Sequence, residues 1–502
     1  MKAQFQEGVT LNTDEAQESY ILYSDRFTTY LVDNCGGIVR TWPLGRNNVH
    51  LHPKLLEDGT LIAIVEEGFR YMIHEYNWNG SLAKEINLNA SGIILHYEVI
   101  KLDNGNYLTA GREILSEAEL VDLGYTEEEA DGYDYMDMML ELDPSGNIVW
   151  QWNIKDHIIQ DRYPDKANYG VIADHPELLD MHVQLDAIDW DFRETFMINS
   201  FDYNADLDQI IISIRKMGEI AIIDHGTTTA EAAGHTGGRY GKGGDILWRW
   251  GNPANYDAPD AKRFLYYQHN PNWIDRGPYK GLLTCYNNGL DRPGSFSDRY
   301  SQVPVIDPTP NADGSYSMHD GQYSKDGLQL VYGRESTGTD FYSSYTSGAE
   351  FLENGNVHIT IGQDGKMIEI NPEGEIVWEY LIVNDGYIYR SEKYDLDYPA
   401  FEGRDMTPVS QVPTQYDCTL LSTSTDDHVA DFDLDYLVTG HGILLQSSEV
   451  LSYQLINIQG QVLAAGSLNR RVMLSTEYYP RGLYLVRVSN DLGQQTTLKV
   501  IK

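Results

Sequence analysis

A short unit recurs at wide intervals along the chain and limits what it can fold into. The unit reads Gly-x-Ile-(Val/Leu)-Trp-x-(Trp/Tyr), with copies at residues 146–152, 244–250 and 374–380 and a looser copy at 37–42. Each copy places a glycine turn before β-branched and aromatic residues, the composition of a half-buried strand. Recurrence on this scale predicts a repeat architecture built from sheets.

A second unit predicts the hairpins that connect these strands. Residues 56–61, 102–108 and 352–357 each place Asp-Gly or Asn-Gly between apolar residues, which is the strongest short-range hairpin signal. Strand clusters counted from residue 20 to residue 420 predict an all-β fold, a six-bladed β-propeller with four-stranded blades. A pair of β-sandwiches is the alternative, although sandwiches would not require one turn motif to recur. Short helices are expected only within residues 116–129 and 227–233.

Charge divides the chain into two parts. The whole chain has 36 basic and 76 acidic residues, a formal charge of −40, yet residues 448–502 hold more basic than acidic residues. This reversal and four strand-like runs predict a separate C-terminal β-sandwich. The predicted domains are an N-terminal segment at 1–19, the propeller at 20–420, an acidic linker at 421–447 and the sandwich at 448–502.

The strongly negative charge also excludes classes of partner. A polyanion such as nucleic acid, or an anionic membrane, would be repelled along most of the surface. A small anionic substrate stays compatible, because a few Arg and His side chains can invert the potential inside a pocket. No run approaches 18 apolar residues, so we predict no transmembrane segment.

The cysteines give no sign of a metal site. Cys35, Cys285 and Cys418 fit neither a metal-binding spacing nor a disulfide framework. Cys35 lies in the first strand-like segment and Cys418 follows the last, so a bridge that closes the ring is one alternative and unpaired thiols are the other. We predict no bound metal and no cofactor.

Three stretches resemble the bacterial aryl-sulfate sulfotransferase-like family. They are residues 190–200, the run from Gly234 to Pro253, and Gln268-His269-Asn270. The resemblance covers roughly residues 20–400. It implies a β-propeller in which a pocket histidine passes a sulfuryl group from an aryl sulfate to a phenol without a nucleotide donor.

The chain departs from the family pattern at two places. Where the motif reads roughly Asp-Trp-x-His-x-Asn-Ser, this chain has Met197 in the position of the histidine, and a thioether cannot transfer a proton. The resemblance also implies a histidine nucleophile within residues 342–350, and this segment contains no histidine. Sulfuryl transfer through the usual intermediate is therefore expected to be weak or absent.

The resemblance assigns the candidate site residues. His269 matches the Gln-His motif and is the implied catalytic residue, with a structural histidine held by a neighbouring blade as the alternative. The implied substrate-binding residues are Asn199, Ser200, Arg215, Asn288, Arg292 and His96. For Arg215 the alternative is an ordinary ion pair with an acid, because a buried guanidinium requires an anion or a carboxylate. For Asn199 and His96 the alternative is a structural role.

The C-terminal strands resemble the sorting domain of the type IX secretion system of Bacteroidetes. The matching residues are Asn457 to Val462, Gly482 to Val488 and Lys499 to Lys502. A generic carbohydrate-binding or fibronectin-like sandwich is the alternative. The resemblance implies export across the outer membrane and contact with the secretion machinery. Because residues 1–8 lack an apolar run of signal-peptide length, we expect the numbering to begin near a mature terminus.

These observations predict a secreted or cell-surface protein that weakly transfers, or binds, the sulfuryl group of an anionic aromatic compound at the channel mouth. A catalytically silent binding or scaffold propeller is the alternative from a different functional class.

Overall fold

The computed structural model of the 502-residue chain separates into two compact units, residues 1–415 and 416–502. The structure describes residues 8–25, 27–43, 52–67, 70–88, 90, 92–130, 132–182, 194–295, 298–382, 387–411, 434–439, 442–457, 461–475, 483–490 and 495–501. Both units are built mainly from β-strands, which confirms the all-β prediction.

The described part of the first unit contains six antiparallel sheets of four or five strands. They are numbered here in chain order, with strands given in pairing order. Sheet 1 consists of Ser391–Asp395, Ser19–Ser24, Thr28–Asp33, Gly37–Pro43 and Ser410–Gln411. Sheet 2 consists of Lys54–Leu55, Leu61–Glu67, Arg70–Tyr76 and Leu82–Ile86. Sheet 3 consists of Ile93–Lys101, Tyr107–Ser116, Tyr133–Leu142 and Ile148–Asn153. Sheet 4 consists of Ile198–Asn204, Gln209–Ile214, Glu219–Asp224 and Trp248–Trp250. Sheet 5 consists of His269–Trp273, Leu283–Tyr286, Val303–Ile306 and Leu328–Tyr332. Sheet 6 consists of Gly348–Phe351, Val357–Ile361, Lys366–Ile370, Ile376–Leu381 and Gly8–Asn12.

The sheets form a ring around their first strands. The first strand of sheet 3 contacts that of sheet 4, and the contacts continue in the same way through sheets 5 and 6 to Ser391–Asp395 of sheet 1. Each large apolar cluster of the first unit joins two consecutive sheets, so the core lies between the sheet faces. This is the packing of a β-propeller.

Strands from the two ends of the first unit close the ring. Ser391–Asp395 pairs with Ser19–Ser24 in sheet 1, and Gly8–Asn12 pairs with Ile376–Leu381 in sheet 6. The strand Gly8–Asn12 falls within residues 1–19, which the sequence assigned to no sheet. Its partner strand lies more than 350 residues away along the chain, so only the folded ring brings the two together.

The tryptophans of the repeated unit occupy equivalent strands. Trp150, Trp248 and Trp378 lie in the fourth strands of sheets 3, 4 and 6, as predicted, and Trp42 lies in the fourth strand of sheet 1. Each indole N–H donates a hydrogen bond to the following sheet or its loops. The acceptors are the Asn77 carbonyl for Trp42, Thr227 Oγ1 for Trp150, Ser324 Oγ for Trp248 and the Asn34 carbonyl for Trp378. The motif thus connects one sheet to the next.

Helices are short and lie where the sequence predicted them. The α-helices Glu117–Leu123 and Thr229–Ala232 both begin with a capping box, formed by Ser116 with Glu119 and by Thr228 with Glu231. Short 3₁₀ turns cover Ile154–His157, Ile172–Asp174, Arg215–Met217, Pro253–Tyr256, Gly362–Asp364 and Pro399–Phe401. Within the described residues, no helix combines the length and apolar character needed to cross a membrane.

The second unit has one described sheet of five strands. Its strands are Asp435–Thr439, Gly442–Asn457, Val462–Ser475, Leu483–Ser489 and Gln495–Ile501. The first two begin inside residues 421–447, the predicted acidic linker, whose residues 421–433 lie outside the described part of the chain. The sandwich itself stays a prediction.

Cysteine pairing is described for two of the three residues. Cys35 is disulfide-bonded, and Cys285 is a buried free thiol. Cys418, which one of the two alternatives pairs with Cys35, lies outside the described residues.

Candidate functional site

Backbone strain collects just before the first strands of sheets 4, 5 and 6 and at a bulge within the first strand of sheet 3. Tyr97, Met197, Tyr267 and Thr346 have φ angles of 67°, 62°, 59° and 56°. None of these residues is Gly, Asn or Asp, the types that tolerate the left-handed region, and each such residue costs of order 1–3 kcal/mol. Met197 directly precedes the first strand of sheet 4, and Tyr267 and Thr346 lie two residues before those of sheets 5 and 6. We call the surface that these four residues define the mouth.

His269 lies at the mouth and is almost fully buried. Its Nδ1 lies 2.7 Å from Oδ1 of Asn288, and its Nε2 lies 3.2 Å from the backbone nitrogen of Thr346, which is a donor. Nε2 therefore accepts, and Nδ1–H donates to Asn288. Burial, together with the charge of Arg215, lowers the pKa of His269 to about 3. The imidazole is thus neutral near pH 7, and both of its nitrogens have protein partners.

The side-chain amide of Asn288 uses both its oxygen and its nitrogen to position the His269 imidazole. Its Oδ1 faces His269, and its Nδ2 donates to the carbonyls of Ser343 and Thr346 at 2.8 and 3.0 Å. Ser343 and Thr346, within the segment 342–350 where the family resemblance implies a histidine, are therefore held against His269 through the Asn288 amide.

Asn199 and Ser200 join the first strands of sheets 4 and 5. Asn199 Nδ2 donates to the Gln268 carbonyl at 2.8 Å, Ser200 Oγ donates to Asn199 Oδ1 at 2.8 Å, and the Asn270 backbone N–H donates to Ser200 Oγ at 2.7 Å. Both side chains are buried. These contacts position the His269 strand, and direct contact of Asn199 or Ser200 with a substrate stays a prediction.

Arg215 brings a cation to the mouth. Its guanidinium carbon lies 4.4 Å from the ring centre of Tyr267, and its Nη1 donates weakly to Sδ of Met197 at 3.6 Å. Among the described residues, no carboxylate lies within ion-pairing distance of Arg215, and its buried Nε has no hydrogen-bond partner. Burial lowers the pKa of Arg215 because the charged form loses solvation.

Two further tyrosines line the same region. The rings of Tyr97 and Tyr389 are stacked, with centroids 6.1 Å apart and planes 20° apart. The Tyr389 hydroxyl donates to the Asn199 carbonyl at 2.8 Å, which fixes that ring. Burial raises the pKa of Tyr97 to about 12, although the charges of Arg112 and Arg215 oppose the shift. The mouth therefore combines the Arg215 cation with three tyrosine rings.

A buried charged cluster lies at the first strands below this region. Arg390 Nη2 donates to Glu98 Oε2, and His52 Nδ1 lies 3.1 Å from the same carboxylate oxygen. The Arg390 charge, with His52, outweighs burial and lowers the pKa of Glu98 to about 2. The cluster connects sheet 1 with sheet 3. The positive charge of Arg390 is balanced by Glu98 and, unlike that of Arg215, already has a carboxylate partner.

A cavity of about 400 Å³ follows the axis of the ring. It is lined by residues at the first strands of all six sheets, among them Glu392, Lys54, Glu98, Asp202, Trp273 and Glu350. Its whole lining has six acidic and four basic side chains, so the cavity holds cations but an excess of negative charge.

Two further predicted site residues, Arg292 and His96, have protein contacts of their own. Arg292 donates to Gln302 Oε1 at 2.8 Å and lies over the rings of Tyr266 and Tyr300. His96 is buried, with Nε2 3.4 Å from Asp137 Oδ1, and burial lowers its pKa. The structure thus groups His269, Asn288 and Arg215. The His96 ring lies beside the Tyr97 ring of the mouth, with centroids 4.3 Å apart, whereas Arg292 contacts Gln302 and two tyrosine rings.

Sequence reasoning missed the tyrosines of the mouth. Tyr97 follows His96, Tyr267 precedes Gln268, and Tyr389 precedes Arg390. A tyrosine beside each of these residues could have indicated the aromatic mouth. With 36 tyrosines in the chain, however, such neighbours are too frequent to be informative.

The ring of sheets defines a β-propeller, and its mouth places the Arg215 cation beside aromatic side chains. The profile of the arylsulfotransferase family matches residues 10–375, and the chain belongs to this family. No curated protein matches the chain in sequence.

Solved structures align at low similarity. A protein of unknown function from Bacteroides caccae has a TM-score of 0.43 and 10% identity, and the alignment covers 75% of this chain and 98% of that protein. The periplasmic gluconolactonase of Pseudomonas aeruginosa has a TM-score of 0.35 and 9% identity, over 94% and 99% of the two chains.

Proposed function

We propose that this protein binds aryl sulfates at the mouth, with the sulfate on Arg215 and the aromatic ring against Tyr97 and Tyr267. The observation that carries the proposal is the guanidinium of Arg215, which has no carboxylate partner among the described residues. A partly buried cation without a carboxylate partner is costly, and a bound sulfate would supply the missing anion. The phenol rings offer stacking surfaces for the arene.

The chemistry of the family adds a possible group transfer. In that reaction a histidine nitrogen attacks sulfur, the bond between sulfur and the aryl oxygen breaks, and an aryl oxide leaves. A phenol oxygen then attacks sulfur, the nitrogen–sulfur bond breaks, and the phenol proton passes to the released aryl oxide or to the imidazole. Neutral His269 has the required protonation state.

The contacts of His269 favour slow transfer or binding alone. Its Nε2 lone pair already accepts the Thr346 N–H, so attack through Nε2 requires this segment to move. Met197 supplies no second imidazole. We therefore propose a protein whose main activity is binding, with turnover of aryl sulfate that is weak and depends on His269.

Calorimetric titration with 4-nitrophenyl sulfate tests the binding site. We expect Arg215→Ala to weaken binding by about tenfold or more, as loss of a charged hydrogen-bonding partner costs about 1.5–3 kcal/mol. The matched control is Arg334→Ala, because Arg334 is exposed and pairs with Asp340. Equal affinity in the wild type and Arg215→Ala would reject the proposal.

The same ligand distinguishes binding from transfer. Release of 4-nitrophenol in the presence of a phenol acceptor should be slow in the wild type and absent in His269→Ala. Rapid release that survives His269→Ala would place the chemistry on other residues.

We also propose the finer features of the architecture and location. The six sheets are taken as the blades of a six-bladed propeller, and residues 448–502 as a sandwich that directs type IX export to the cell surface. Support comes from the sheet order and from the tail resemblance. Deletion of residues 448–502 should stop secretion in a suitable host but leave the melting transition of residues 1–415 nearly unchanged, and collapse of that unit would contradict the proposal.

A further inference from the structure

Two histidines and an aspartate converge at the outer edge of sheets 3 and 4. His157 follows the fourth strand of sheet 3, Asp245 precedes that of sheet 4, and His235 lies in the glycine-rich loop before Asp245. Their ligand atoms all lie within 4.8 Å of one another. This cluster belongs to fourth strands, whereas His269 begins a first strand, so it is separate from the mouth.

The hydrogen bonds of His157 leave an electrostatic conflict. Its Nε2 lies 2.8 Å from the Ala232 carbonyl oxygen, which can only accept, so this nitrogen carries the hydrogen. In the neutral ring, the lone pair of Nδ1 then faces Oδ1 of Asp245 at 2.9 Å. Two lone pairs at that distance repel unless a proton or a metal cation lies between them.

His235 brings a second imidazole to the same oxygen. Its Nδ1 lies 2.8 Å from Asp245 Oδ1, and the two histidine rings are perpendicular, with centroids 6.0 Å apart. His157 is fully buried and Asp245 nearly so, whereas the His235 side chain is 59% exposed. Two ligands of the cluster are therefore buried, and the third leaves one side of the cluster open to solvent.

The surroundings hold the buried His157 ring in place. The ring of Trp152 stacks on His157 with an interplanar angle of 1°, and its indole N–H donates to the Gly244 carbonyl at 2.6 Å. A Cβ atom at Gly244 would lie 2.0 Å from the Ala232 carbonyl oxygen and 2.6 Å from His157 Nε2. Only glycine fits there, so the loop can bring Asp245 next to the imidazole.

We propose that His157, His235 and Asp245 bind a divalent transition-metal ion, with Zn²⁺ as the reference ion. Two imidazole nitrogens and a carboxylate suit Zn²⁺, whereas Ca²⁺ and Mg²⁺ prefer all-oxygen sites. The Ala232 carbonyl that accepts from His157 is the outer partner expected of a metal-binding histidine. Tetrahedral zinc spaces its donor atoms roughly 3.3 Å apart. Asp245 Oδ1, which lies 2.9 and 2.8 Å from the two imidazole nitrogens, would therefore have to move slightly away from both. Three protein ligands leave one position for water or a solute on the open face.

Cobalt titration of the full-length, chelator-treated protein tests this site. We expect one equivalent of Co²⁺ to give the visible absorption of a tetrahedral ion with nitrogen and oxygen ligands, and Zn²⁺ to abolish it by displacement. His235→Ala should weaken binding by more than about 100-fold, because loss of even an outer-shell partner typically costs about 10- to 100-fold. His235 is exposed, so this variant should fold.

The matched control is His175→Ala, which removes an exposed histidine that lies 3.0 Å from Glu177. It should keep the cobalt spectrum, and Asp245→Asn should lose it. Zn²⁺ should also raise the melting temperature of the wild type and of His175→Ala but not that of His235→Ala. Failure of the wild type to bind Co²⁺, or equal binding in the wild type and His235→Ala, would overturn the proposal.

Discussion

The backbone N–H of Thr346 donates to Nε2 of His269 across 3.2 Å. Thr346 has a φ of 56° and the next residue, Ser347, a φ of 81°. Two strained residues therefore place a donor on the nitrogen that sulfuryl transfer would use. Under the proposal above, Arg215 binds the anion, whereas Nε2 of His269 is already engaged by the backbone of Thr346.

Acid should destabilise the protein through His269. Its pKa is lowered from the ordinary value of 6.5 to about 3, so between these values the unfolded chain binds the extra proton. The contribution of His269 to the free energy of unfolding is complete above pH 6.5. As the pH is lowered from 6.5 towards 3, this contribution decreases by about 1.4 kcal/mol per pH unit. We expect His269→Gln to unfold in urea with a shallower pH dependence between pH 6.5 and 4. His175→Ala, at an exposed position, should keep the wild-type slope. A wild-type slope in His269→Gln would contradict the buried neutral imidazole.

Restoring a histidine at position 197 should strengthen anion binding. Met197 lies beside Arg215, and an imidazole there would add a donor for a sulfate oxygen. We expect Met197→His to bind 4-nitrophenyl sulfate about tenfold more tightly, the effect of one additional charge-assisted hydrogen bond. Met197→Leu, similar in size and apolar, is the control and should show no gain. If both variants bind equally, position 197 does not face the ligand.

Trp378 should contribute to closure of the ring. Its indole N–H donates to the Asn34 carbonyl at 2.8 Å, across the junction of sheets 6 and 1, and the side chain is fully buried. Trp378→Phe removes this bond and leaves a small cavity, at a cost of about 2–4 kcal/mol. Trp42→Phe and Trp248→Phe should cost similar amounts in urea unfolding, because their indoles have equivalent roles. If Trp42→Phe lowers the free energy of unfolding but Trp378→Phe leaves it unchanged, ring closure does not depend on the Trp378–Asn34 contact.

Lys393 and Glu369 form a buried ion pair, and we expect the loss of one partner to destabilise the fold more than the loss of both. Nζ and Oε2 are 2.5 Å apart, and both side chains are fully buried. Lys393→Met should cost about 3–5 kcal/mol, because it leaves a buried carboxylate without its cation. The double variant Lys393→Met/Glu369→Gln should recover most of this stability, as measured by urea unfolding. Equal losses in the single and double variants would contradict this explanation.

The repeated motif predicted the strands well because it is local. A glycine turn followed by Ile, Val and Trp determines a strand whatever its neighbours, and Trp150, Trp248 and Trp378 do occupy fourth strands. The hairpin signals worked for the same reason. The strand Gly8–Asn12 was missed because its pairing depends on Ile376–Leu381, which only ring closure brings near.

The site was predictable only in part. The motif positions located His269, Asn288 and Arg215, but the contacts of each depend on residues far along the chain. Thr346 lies 77 residues from His269. Positive φ at Met197 and Tyr97 carries no sequence signal, since Gly, Asn and Asp are the usual types there. The tertiary ring, rather than local propensity, imposes these conformations.

A crystal structure with bound 4-nitrophenyl sulfate tests the central claim most directly. The account predicts a sulfate oxygen within hydrogen-bonding distance of the Arg215 guanidinium and the nitrophenyl ring against Tyr97 or Tyr267. It also predicts that the Arg390–Glu98 pair stays intact. A sulfate that instead binds in the axial cavity beside Lys54 and His52, with Arg215 free of ligand, would contradict it.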